Sequence, residues 1–351
     1  MQNNPETTLV TPEAPIATNT HGGRAKCLQR LVRLDLPVPR TVALSFDAVK
    51  RIARDEMPDI AAIVSQFPQG ALLCVRPSSE DPDWGGPGAV LNIGMNHLRY
   101  EGLVKELGPD AAADIYTRFV QSYSIDVARL DPDLFDDLPD TGALALTESL
   151  RAYEMEMEEA FPMDPAEQLT AVLKSMARAW DGTTARLLRQ AKGAPADAGL
   201  GLVVQEMALG LGKGECGSGV LQLVDSDTGL QQVTGRYLSQ SQGRDALSGD
   251  ADALYLERDP RGPSLEELEP EALAALKEHC ALMRVKLRAE MQVEFAIENG
   301  QVLDVIRHPN RNRYPNQIII VLNIEDYVWL VPYVKSKGVR FLKTIIPSRK
   351  A

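Results

Sequence analysis

Residues 21–44, HGGRAKCLQRLVRLDLPVPRTVAL, run through three kinds of backbone in succession. Order is expected to begin near His21-Gly22-Gly23. Residues 24–34 then place Cys27, Leu28, Leu31 and Leu34 on one face of a helix. Leu36-Pro37-Val38-Pro39 is extended, because each proline fixes its own φ and biases the residue before it away from the helical region. TVAL (41–44) is a short strand, and Ser45 caps a helix that is expected to run to about residue 55.

Outward from this stretch the two halves of the chain differ. ALLCVR (71–76) reads as a buried strand, and a loop rich in Ser, Asp, Gly and Pro follows it (77–88). Helices are expected at about 109–126, 145–160 and 165–191. Beyond them LGLVVQEM (200–207), SGVLQLVD (218–225) and LQQVTGRYL (230–238) alternate as strands between glycine turns. Ser264 and Glu267 form a capping box, and a helix is expected over about 271–289. MQVEFAIE (291–298) and QVLDVI (301–306) flank Asn299-Gly300, a strong hairpin signal. Helices first and antiparallel strands later indicate an α+β fold with two lobes. The expected divisions are a mobile tail (1–20), a helical α+β lobe (21–195), a β-rich lobe (196–309) and a basic β-strand extension (310–351).

Composition narrows the function. The chain has 351 residues, 44% of them hydrophobic and 25% charged, as in ordinary globular proteins. The net charge of -12 disfavours nucleic acid as a partner. No apolar run is long enough to span a membrane, and no secretory leader is visible. Cys27, Cys74, Cys216 and Cys280 lie far apart, as reduced thiols of a cytoplasmic protein would. Residues 311–351 hold eight Lys and Arg against two Asp and Glu, so the C-terminal segment has a different character. Three strands are expected there, at about 316–323, 327–334 and 339–346. They need a surface to dock on, either the main body or a second copy of the chain, which makes homo-oligomerisation through them one reading.

Few residues stand out for chemistry. Arg76 ends a buried strand and is followed by Pro77-Ser78-Ser79 and by Gly85, Gly86 and Gly88. A guanidinium with backbone N–H groups suits a polyphosphate, and a surface arginine beside a turn is the plainer reading. Glu294 alternates with Gln292 and Ala296 on one strand face. It is either an oxygen ligand for Mg²⁺ or a solvent-facing polar residue. Gly210-Leu211-Gly212-Lys213-Gly214 lacks the Walker spacing and reads as a hairpin turn. None of His21, His97, His279 and His308 has a partner at metal-ligand spacing.

Several segments in order resemble the N-terminal nucleotide-binding region of pyruvate phosphate dikinase and phosphoenolpyruvate synthase, an ATP-grasp fold. Residues 21–44 look like the family's GGKGANL opening and its GLPVPPGF continuation. LLCVRPSSE (72–80) looks like its VRSSA strand end, and GGPGAVLNIGMN (85–96) is similar to its PGMMDTxLNxGLN loop. SGVLQLVDSDTG (218–229), GRYLSQSQGRDALSG (235–249) and MQVEFAIENGQVLDVI (291–306) are similar to SGVxFTRDPxTG, GEFLxxAQGEDVVAG and MQDIEFTIExGKLxxLQTR.

The resemblance implies ATP and Mg²⁺ as cofactors. It implies phosphates held by Arg24 and Arg76, adenine near Gln205, and Mg²⁺ at Glu294. It also implies a phosphoryl acceptor on a separate phosphohistidine and phosphoenolpyruvate-binding partner, because no such domain is expected within this length. The departures are Arg24 in place of lysine, Arg236 and Gln292 in place of carboxylates, and Ile306 and His308 in place of Gln and Arg. They leave two functional expectations: a kinase-like phosphotransferase domain, or an inactive ATP-grasp relative with a binding or regulatory role.

Overall fold

The computed structural model describes residues 6–139, 141–212, 214–224, 231–242, 252–287, 292–298, 305–307, 317–324, 327–336, 339–342 and 346–347. The chain is α+β, and it divides into two units, Met1–Met207 and Ala208–Ala351.

The first unit is built on an antiparallel sheet of five strands: β1 (Thr7–Leu9), β2 (Thr41–Leu44), β3 (Leu73–Ser79), β4 (Val90–Ile93) and β5 (Leu200–Glu206). Their spatial order is β1-β2-β5-β3-β4. β5 was expected in the second lobe. It instead pairs with β2 and β3 at the centre of this sheet, and all of its residues but Glu206 are buried. A strand apolar on both faces is stable only where both faces are covered.

The expected mobile tail is ordered from residue 6 onward. Thr7–Leu9 pairs with β2, and Val10, Ala14 and Ile16 join the core with Ala25, Ala43 and Val203. A short apolar strand among prolines carries too little periodicity to be read from sequence, and long-range pairing supplies the order.

Helix α1 (Thr18–Arg33) lies on the sheet face that carries Ala43 and Val203. On the opposite face Leu200 lines one cavity with Val49 of α2 (Phe46–Ile52) and with Ala177 and Trp180 of α7 (Pro165–Asp181). Ser45 caps α2 as expected, its hydroxyl accepting from the Ala48 N–H at 3.3 Å. The helix expected over 165–191 is two helices, α7 and α8 (Thr183–Ala191), broken at Gly182, whose extended backbone ends α7. α3 (Ile60–Val64), α4 (His97–Leu107), α5 (Pro109–Asp126) and α6 (Gly142–Met157) complete the unit. Gln168 of α7, fully buried, accepts from the Gly94 N–H at 2.8 Å and donates to the Met95 and Pro162 carbonyls. It thereby ties α7 to the end of β4.

In the second unit, β6 (Gly217–Val224), β7 (Gln231–Ser239), β8 (Leu254–Tyr255) and β9 (Gln292–Ile297) form a sheet in the order β8-β7-β6-β9. Tyr237 and Phe295 stack across β6 at 6.1 Å, nearly parallel. Gly219 stands between them in register, and a Cβ there would lie 2.5 Å from the Phe295 ring. The glycine makes the room that the two rings fill. Ser264 and Glu267 form the expected capping box on α9 (Leu265–Leu268), and α10 (Pro270–Leu287) follows.

The expected 291–306 hairpin falls largely on residues that are not described. β9 pairs with β6, whereas β10 (Val305–Arg307) pairs with β11 (Gln317–Ile324) in another sheet. Asn299 and Gly300 lie outside the described residues. β12 (Tyr327–Ser336), β13 (Val339–Leu342) and β14 (Ile346–Pro347) complete that sheet, so the three strands expected in the basic segment are present.

Candidate functional site

The candidate site gathers where α1 meets β3. α1 contains one non-helical residue, Gly22, at φ 84° and ψ 169°. That backbone region is essentially restricted to glycine. The helix proper therefore starts after Gly22, and its first N–H groups lack partners within the helix. Ser78 of β3 supplies one. Its hydroxyl accepts from the Ala25 N–H at 3.0 Å and donates to the His21 carbonyl at 2.7 Å. A single buried hydroxyl thus caps the helix from another element and closes the glycine turn. The packing is close: a Cβ on Gly22 would stand 1.8 Å from the Ser78 carbonyl oxygen.

This junction brings two of the expected residues together. Arg24, exposed, donates from Nε to the Pro77 carbonyl at 3.1 Å. Arg76 precedes Pro77 but does not end its strand, because β3 runs on to Ser79. β4 pairs only with Leu73 and Val75, so Pro77, which lacks an N–H, removes no ladder bond on that side. Cys74, two residues before Arg76 on the same face, reports both guanidiniums. Burial pushes its thiol up, while Arg76 and then Arg24 pull against that shift. Two cations beside a glycine turn at a helix start fit an oxyanion chemically.

Gln205 lies opposite Cys74 on one side and Thr41 on the other. It is buried, and its Nε2 donates to the Thr41 hydroxyl at 2.8 Å, so its amide also bridges strands. The glycine loop packs on the fold: Gly86 sits against Pro77 and Trp180, and Gly85 near the Lys192 ammonium. Trp180 carries the Arg189 guanidinium 3.6 Å above its ring.

Glu294 belongs to the second unit, where it is exposed on β9. Among the described residues no group of three or more His, Cys, Asp or Glu could hold a metal ion. Among those residues Glu294 has no second carboxylate in its row of the sheet. Ile306 pairs with Ile319 in β10–β11, and His308 and Lys213 lie outside the described residues.

Sequence reasoning assigned no role to Ser78 or His21. His21 is fully buried, with Nδ1 2.8 Å from the Thr20 hydroxyl and Nε2 without a hydrogen-bond partner among the described residues. Burial holds its pKa below the ordinary value of about 6.5. A histidine with a depressed folded-state pKa adds stability that is complete above the unfolded value. That stability is lost as pH falls through 6.5 and toward the folded value. Urea midpoints measured at pH 7.5 and 5.5 should fall more in the wild type than in His21→Gln. Equal falls would show that another group carries the acid sensitivity.

The fold and this junction define an α+β protein with a guanidinium-flanked glycine turn. The chain is a partial, diverged relative of the pyruvate, phosphate dikinases. It is 26% identical to pyruvate, phosphate dikinase of Clostridium symbiosum, over 88% of this chain and 39% of that protein. It is 28% identical to that of Rhizobium meliloti over 66% and 28%, and 25% identical to the chloroplastic enzyme 1 of Arabidopsis thaliana over 80% and 32%. The chain thus spans between 28% and 39% of these relatives' lengths. No family model matches it. Among the described residues no helix is long and apolar enough to cross a membrane.

Proposed function

We propose that the chain is an ATP-binding domain of ATP-grasp type, working as part of a kinase-like phosphotransferase. Its phosphoryl acceptor lies on a separate phosphohistidine and phosphoenolpyruvate-binding partner. The observation that supports this reading is the Ser78 junction, where Arg24 bonds to the Pro77 carbonyl, next in sequence to Arg76, beside the Gly22 turn. Guanidiniums so placed grip phosphate oxygens through charge-assisted hydrogen bonds. Gln205 stands on the neighbouring strand as the residue nearest the adenine, and Mg²⁺ arrives bound to the nucleotide.

Calorimetric titration with ATP tests this directly. Arg76→Ala should weaken ATP binding by about 1–3 kcal/mol, roughly 5- to 150-fold. Unchanged affinity would remove Arg76 from the site. No binding to the wild type at millimolar ATP would end the nucleotide reading.

A second reading, an inactive relative that binds without transferring, is favoured by one observation. Glu294 shares its row of the sheet with Arg236, a cation, rather than with further carboxylates. Binding of ATP without release of ADP or AMP, in the presence of Mg²⁺ and phosphate acceptors, would select it.

A further inference from the structure

A single row crosses the second unit's four-stranded sheet. Tyr255 of β8 faces Arg236 of β7, Arg236 faces Val220 of β6, and Val220 faces Glu294 of β9. Residues directly opposite in antiparallel strands share a face, so all four lie on one side. The Arg236 guanidinium carbon is 3.7 Å from the centre of the Tyr255 ring, and that of Arg261 is 4.8 Å from the same ring.

The two cations differ in their hydrogen bonds. Asp259 accepts from Arg261 Nε at 2.8 Å and from its Nη2 at 2.7 Å, and the same carboxylate also feels the Arg236 charge without bonding to it. Arg236 Nη1 is buried and has no hydrogen-bond partner among the described residues. The tyrosine face stabilises the charge but cannot accept that N–H in the plane of the guanidinium. A desolvated, charged donor without an acceptor is costly, and an incoming anionic oxygen removes the cost. The same positive charge, two strands from Glu294 and so about 10 Å away across the sheet, opposes a divalent cation at that carboxylate.

We infer that this face binds a phosphate oxyanion directly, through Arg236, with no metal ion in between. The ring orients the guanidinium, so the planar fork is held ready for a bidentate contact that a lysine cannot make. The inference stands on the second unit alone, apart from the nucleotide reading of the glycine turn.

The test titrates the full chain with inorganic tripolyphosphate, first in EDTA and then with excess Mg²⁺. Wild type, Arg236→Gln, Arg236→Lys and Arg76→Ala are compared, each with its thermal melting curve. The wild type should bind in EDTA, with Mg²⁺ giving no gain. Arg236→Gln should bind about 10-fold more weakly or worse, and Arg236→Lys should fall between, having kept the charge and lost the fork. If Arg236→Gln does not fold, the lysine variant carries the comparison, because it keeps stem and charge. Binding that requires Mg²⁺, binding unaltered in the folded Arg236 variants, or no binding to the wild type overturns the inference. Binding abolished by Arg76→Ala alone and untouched at Arg236 overturns it too, and leaves the glycine-turn reading in place.

Discussion

Gly22→Ala should destabilise the first unit by about 3 kcal/mol or more, while Gly23→Ala beside it should be nearly neutral. Two costs add at Gly22. Its φ of 84° and ψ of 169° lie where a residue with a Cβ is strained by about 1–3 kcal/mol. The new methyl would also stand 1.8 Å from the Ser78 carbonyl oxygen and 2.5 Å from its hydroxyl. Backbone cannot move aside as a flexible side chain does, so the helix start or β3 must shift. At Gly23 the nearest atom to a new Cβ is the Glu80 carbonyl oxygen, at 3.3 Å, which a few tenths of an ångström relieve. Denaturant unfolding of the two variants measures the difference. Equal stabilities would mean that the turn is not closed by Ser78 as described. The same shift drags Arg24 from Pro77, so Gly22→Ala should also lose ATP affinity at least as far as Arg76→Ala does.

How far this junction was legible depends on the distance between its parts. The helix after Gly23 and the strand carrying Arg76 are local features of period and punctuation, and each is present. The bond from Ser78 to Ala25 joins residues 53 apart in sequence, and no periodicity encodes such a meeting. The pairing of β9 along β6, where Phe295 stacks on Tyr237 over Gly219, is non-local in the same way. β1 escaped notice because three residues carry no pattern of their own, only the register that β2 imposes. Of the expected site residues, Arg24 and Arg76 meet at one junction and Gln205 stands on the adjacent strand. Glu294 belongs to the other unit and to a row whose other charge is Arg236, a contact pattern that only strand register reveals.

Phe161→Ala should cost about 3–5 kcal/mol, the largest loss expected from any single truncation in the helical layer. Phe161 lies between α6 and α7, in a stretch with no regular structure, yet it is 1% exposed. Its ring meets Tyr153 at 5.0 Å, Tyr123 at 5.2 Å, Phe119 at 5.6 Å, perpendicular to its plane, and Tyr116 at 6.4 Å. Edge-to-face contacts of this kind add about 0.5–1.5 kcal/mol each beyond area burial, and rings that pack on one another in this way leave a cavity that cannot collapse when the central one is removed. Phe161→Leu, which fills much of the space, should cost less than half as much. Neither variant touches α1 or β3, so the folded protein should bind ATP with wild-type affinity at temperatures well below melting. That contrast separates two ways of losing a signal. Gly22→Ala should weaken binding in molecules that remain folded, whereas Phe161→Ala should only reduce their number. Should Phe161→Ala weaken binding within the folded population as well, the helical layer and the glycine turn would be one cooperative element, and the Ser78 bonds would be insufficient to hold Arg24 in place by themselves.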